Sequence, residues 1–100
     1  MKVYLSEQAE SKLLNLTAYL LQKWGIKVKK DFVQKLTKKI NQIALHPASC
    51  PLSAEFKGLY KGMISKQTTF YYRVDFDLKE IEIITIFDTR QNPDKLSQEI

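Results

Sequence analysis

Residues 2–5, KVYL, alternate polar and apolar and predict a short opening strand. Ser6 then stands where a helix N-cap belongs, with Glu7 and Glu10 placed to favour the positive end of the helix. Ala9, Leu13, Leu16, Leu20 and Trp24 recur at helical spacing, and Thr17 falls in the same stripe. Leu14 and Leu21 widen it on one side, enough for a helix that touches two elements, or one element and a partner. Gly25 predicts a C-cap in the left-handed conformation. A second helix follows from Ile26 to Leu45, with Val28, Phe32, Leu36, Ile40 and Ile43 on its apolar face. Lys27, Lys35 and Lys38 fall opposite that face, while Lys29 and Lys39 lie near its rim and are expected to snorkel.

Beyond Pro47 and Pro51, which bracket an irregular loop, the period changes to two. Residues 59–65 form the weakest strand signal, because Gly62 interrupts it. In residues 68–76, Phe70, Tyr72, Val74 and Phe76 share one face, and Thr69, Tyr71, Arg73 and Asp75 the other. Residues 81–87 are apolar on both faces, as in a covered central strand. Asp77 to Glu80 turns between these two strands, and Asn92-Pro93 can open a short last helix. The predicted order is β-α-α-β-β-β plus that helix. It is an α+β domain with a helical hairpin on one face of a mainly antiparallel sheet.

One hundred residues with 44% hydrophobic content suit a single domain spanning 1–100. No apolar run is long enough to span a bilayer, and the N-terminus turns polar too soon for a signal peptide. The single cysteine, Cys50, has no partner for an internal disulfide, which points to a reducing, cytoplasmic setting. The charge is uneven. Residues 1–46 carry nine lysines and three acidic residues, a net of +6, whereas residues 47–100 carry a net of −1. The basic helical half suits nucleic acid or an acidic protein, and equally a solvated lysine face.

Candidate chemistry is sparse. His46 and Cys50 have no second ligand pair, so no metal site and no cofactor is predicted. His46 instead suits the negative end of the second helix. Glycine is too rare for a phosphate-cradling loop. What remains is a cationic set in the strand half: Lys57, Lys61, Lys66, Arg73 and Arg90, with Tyr60 and Tyr71 nearby. Such side chains can bind phosphates, stack on bases or stabilise a transition-state anion. Arg73 can equally pair with Asp75 or Glu82 across the sheet. Arg90 sits at a strand exit where the chain turns polar, which favours a functional role there.

The chain resembles the RelE/ParE superfamily of toxins from bacterial type II toxin–antitoxin (plasmid stabilisation) systems. The resemblance rests on Ser6-Glu7-Gln8-Ala9, on Tyr19 and Trp24-Gly25, on Phe32 to Ile43 and on Pro47. It extends to Tyr71-Tyr72-Arg73-Val74 and to Asp88-Thr89-Arg90-Gln91-Asn92-Pro93. It implies a helical hairpin against a small curved sheet, a cognate antitoxin that wraps the toxin, and operator DNA reached only through that antitoxin. RelE-like members cut messenger RNA on the ribosome without metal, with basic side chains at the phosphate. ParE-like members poison DNA gyrase and have no known catalytic site. Lys61 and Arg90 match basic positions of the RNA-cleaving branch, but Met63 and Thr69 stand where it carries further basic residues. No tyrosine or histidine follows Arg90. The resemblance therefore implies a ParE-like gyrase poison. The alternatives are an endoribonuclease using Lys61, Arg73 and Arg90, or a degenerate member that only binds its antitoxin.

Overall fold

The computed structural model describes residues 1–91. Its elements are β1 (Lys2–Leu5), α1 (Glu7–Trp24), α2 (Ile26–Leu45), β2 (Tyr60–Met63), β3 (Thr68–Asp75) and β4 (Glu80–Asp88). The order and class are those expected, while the predicted helix opening at Asn92-Pro93 lies outside the described residues. The sheet runs β1-β4-β3-β2, so β4 is central. Both later pairings are antiparallel, and β1 lies parallel to β4 with Val3 opposite Ile81.

The hairpin forms because one glycine closes both helices. Gly25 has φ 92° and ψ 173°, a region almost reserved for glycine and not the left-handed helical one that its position suggests. Its N–H reaches Leu20 O and Leu21 O, while its carbonyl accepts from Lys29 N. Leu16 and Leu20 of α1, with Phe32, Leu36 and Ile43 of α2, bury against Phe70, Tyr72, Ile81, Ile83 and Ile86. Ala9 is buried with them, and Leu13, Val28 and Ile40 pack half-buried against the cluster, but the outer residues of the α1 stripe do not. Trp24 is 54% exposed and Leu14 64%, so Trp24 does not pack the hairpin onto the sheet. Phe76 lies beyond the end of β3 and is exposed as well.

Gly62 does not break β2; it permits the strand's contact with β3. Gly62 stands opposite Phe70, and a Cβ there would come within 2.4 Å of the Phe70 ring. The loop after α2 folds back on the outer edge of β2, where Lys61 N donates to Pro51 O and Ser53 N to Leu59 O. That pairing covers an edge otherwise open to another chain. Tyr72 fixes the start of the same loop from inside, donating its hydroxyl to Pro47 O at 2.8 Å.

The sheet bends at a bulge. Tyr71 faces Thr85 and Tyr72 faces Ile83, so Ile84 has no partner on β3. Its carbonyl is taken instead by the Ser6 hydroxyl at 2.7 Å. The same oxygen accepts from Ala9 N as the N-cap of α1. One serine thus starts the first helix and closes the kink in the last strand.

Candidate functional site

The helices cover one face of the sheet, and the predicted site residues distribute around the other. Lys61 of β2, Tyr71 and Arg73 of β3, and Thr85 and Glu82 of β4 lie in register across this open face: Lys61 opposite Tyr71, Tyr71 opposite Thr85, Arg73 opposite Glu82. Lys12, reaching over the β4 edge from α1, donates to Thr85 Oγ1 at 3.0 Å. The structure therefore brings Lys61 and Tyr71 together and sets Arg73 two residues further along the same strand. Lys57 and Lys66 are exposed in the turns before and after β2.

Each of the three strongest cations is matched by a carboxylate. Arg73 donates to Glu82 Oε1 at 2.8 Å, the cross-strand pairing that the register allows. Here Arg73, Tyr4, Asp75 and Glu80 line a shallow hollow at the turn end of the sheet. Lys61 Nζ lies 3.1 Å from Glu55 Oε1. The hydrogen bonds from Ser53 and Lys61 hold the Glu55 carboxyl below its ordinary pKa, and the same Glu55 contact raises Lys61.

Arg90 departs most from expectation. It does leave β4 into a polar turn, yet its guanidinium folds back on the strand. Nε and Nη2 grip both oxygens of Asp88 at 3.0 and 2.7 Å, and Arg90 N also donates to Asp88 Oδ1. Asp88 is 3% exposed and further accepts from the Thr68 hydroxyl. Burial pushes the Asp88 carboxyl up, but the hydrogen bonds from Arg90 and Thr68 outweigh it and hold the pKa below the ordinary value. Tyr19 of α1 donates to Arg90 O at 3.1 Å, so the corner joins β3, β4 and α1. The buried charge pair with its added hydrogen bonds is architecture rather than a free cation. The signal lay in the sequence: Asp88 and Arg90 are two apart, the spacing at which an Asp side chain accepts from the backbone of the turn that follows it.

Two features of the open face had no sequence signal. Tyr71, at an outward position of β3, is fully buried, because Phe56 from the loop packs edge-on against it with centroids 5.1 Å apart. Its hydroxyl sits near Lys61, yet it has no hydrogen-bond partner of proper geometry. Burial, ahead of the opposing pull of Lys61, raises the Tyr71 pKa. Met63 and Thr69 stand opposite each other beside this pair, and neither supplies charge. Lys61, Arg73 and Arg90 therefore occupy the middle of the open face, its turn end and the opposite corner. Each is turned to a carboxylate of its own: Glu55, Glu82 and Asp88.

The remaining chemistry is structural. His46 ends α2, its N–H donating to Gln42 O, and Cys50 is buried in the core. Among the described residues, no three His, Cys, Asp or Glu side chains group as a metal site would need, and no helix is long and apolar enough to cross a membrane.

Residues 3–93 match the family model described as ParE toxin of type II toxin-antitoxin system, parDE. No curated protein matches the chain by sequence. Among solved structures, a chain of the chromosomal ParDE system from P. aeruginosa aligns with TM-score 0.71 at 17% identity, over 88% of this chain and 95% of that one. The YoeB/ParE toxin from Agrobacterium tumefaciens aligns at 0.62 and 18% identity, over 88% and 98%. A chain of the intact E. coli RelBE toxin–antitoxin complex aligns at 0.58 and 19% identity, over 87% and 94%. At these identities the structural matches speak to fold.

Proposed function

The chain belongs to the ParE toxin family of type II toxin–antitoxin systems, and from that premise we propose that it is a bacterial toxin that inhibits DNA gyrase and is neutralised by a cognate antitoxin. It acts by binding and not as a nuclease. The observation that carries this reading is the pairing of its candidate catalytic cations. Lys61, Arg73 and Arg90 each hold a carboxylate, at three separate places. Metal-free cleavage of a phosphodiester needs cations and a proton shuttle gathered at one phosphate. Here Met63 and Thr69 flank Lys61 instead.

In this reading Lys57, Lys66 and Arg73, exposed cations of the strand half, are target contacts, with Lys61 and Tyr71 between them. Arg90 acts through the corner it builds. The antitoxin is the direct partner, and operator DNA is reached only through it. The test is induction in a bacterial host without antitoxin. Filamentation, induction of the DNA-damage response and gyrase-linked DNA breaks in a purified supercoiling reaction are the expected results. Translation arrest with messages cut on the ribosome would replace this reading with the ribonuclease one. Antitoxin binding with neither effect would leave a module that only binds its antitoxin.

A further inference from the structure

Tyr71 Oη is the only buried side-chain polar atom among the described residues that lacks a hydrogen-bond partner. A buried hydroxyl in that state carries a cost, which a ligand can remove. Beside it, Lys61 is occupied by Glu55, whose other oxygen accepts from Ser53 Oγ at 2.9 Å. Ser53 also accepts from Glu55 N and Phe56 N, so the turn is built locally. Backbone bonds from Ser53 N to Leu59 O and from Leu59 N to Phe56 O close the turn beside β2, and its side chains hold the sheet at two points, Glu55 on Lys61 and Phe56 on Tyr71. The ion pair is about half exposed, the class of pair that contributes little. Next to Lys61, a groove of about 270 Å³ runs along β2, lined by Lys39, Pro51, Gly62 and Met63. Its two charged walls, Lys39 and Lys61, are both cationic.

We propose that the loop over residues 53–58 is a displaceable lid whose Glu55 stands in for a carboxylate of an acidic protein segment. That segment enters the β2 groove, takes Lys61 from Glu55 and supplies the acceptor that Tyr71 Oη lacks. Two observations favour protein over nucleic acid. The present occupant is a carboxylate. The same face carries Asp75, Glu80 and Glu82 at its other end, which repel a polyanionic strand laid along it but not a peptide with local charge.

The test is fluorescence anisotropy of a labelled oligoglutamate peptide on the full-length protein at low salt. Glu55→Gln should tighten binding about fivefold, the worth of releasing one surface ion pair. Asp77→Asn makes the same change in net charge in the distant turn and should give less than about twofold. Adding Lys61→Met to Glu55→Gln should abolish the gain, and adding Tyr71→Phe should reduce it. Peptide should also speed tryptic cleavage after Lys57, which sits in the lid. Equal gains from Glu55→Gln and Asp77→Asn would overturn the proposal. So would a gain that survives Lys61→Met, unchanged cleavage at Lys57 under saturating peptide, or a larger gain for a short RNA than for the peptide. None of these measurements involves gyrase, so the proposed target and the lid stand or fall separately.

Discussion

The Arg90 corner and the Lys61 patch are built from the same parts, a cation and a carboxylate, on the same small sheet. They differ in what surrounds them. Asp88 is buried, both its oxygens are gripped, and Thr68 and Tyr19 tie the corner to neighbouring elements. Glu55 and Lys61 are half exposed, and Glu55 is carried on a local turn that one aromatic edge helps to hold. Removing one partner of a buried pair leaves a charge stranded, whereas removing one partner of an exposed pair returns the other to water. The two sites therefore separate architecture from availability, although the sequence offers both as candidate cations.

The widest gap should appear with Arg90→Ala. Its expected cost is about 3 kcal/mol, because Asp88 stays buried without its fork. Chemical denaturation would show a lowered midpoint; an unchanged midpoint would make the corner as dispensable as the open face. Gly62→Ala tests the buried face of the same sheet, where a methyl group must displace the Phe70 ring, and should cost about 1–3 kcal/mol by the same measurement. Next comes acid sensitivity. The depressed Asp88 pKa contributes stability that is fully present above the unfolded value, near 4, and is lost as pH falls through the folded value. Stability followed from pH 6 downwards should therefore fall less steeply in Asp88→Asn than in the parent, although the variant starts lower. Trp24→Ala should cost less than about 1 kcal/mol, since the ring is mostly in water; a loss of several kcal/mol would restore it to the core. Arg73→Ala should shift stability least, within about 0.5 kcal/mol, because its partner Glu82 can reach solvent.

The two regions also differ in how far they could be read from the chain. Helical spacing located α1 and α2 to within a residue, because both bury a continuous stripe. Alternation put Phe70 and Tyr72 on one face and Tyr71 and Arg73 on the other, and the option of pairing Arg73 with Glu82 is the one the register takes. Alternation could not show that Tyr71 is covered, because Phe56, which packs on it, belongs to an aperiodic loop. Trp24 shows the converse limit. A stripe reports which side chains could bury together, not whether a neighbour is there to bury them. The Ile84 bulge left no sequence mark, since any side chain can occupy the extra position when another group takes its carbonyl. Resemblance to a toxin superfamily was legible from scattered marks, and the family match over residues 3–93 agrees with it.

The double use of Ser6 has a consequence for how the molecule comes into being. Its hydroxyl caps α1 and also holds Ile84, 78 residues later. The parallel pairing of β1 with β4 spans a similar separation. Closing so large a loop is costly in entropy and is rewarded only at the end, which slows assembly. During synthesis the hairpin can form early, but β1 must wait for the last strand to emerge. The growing chain thus has no finished sheet until β4 has emerged, and the completed open face appears only then.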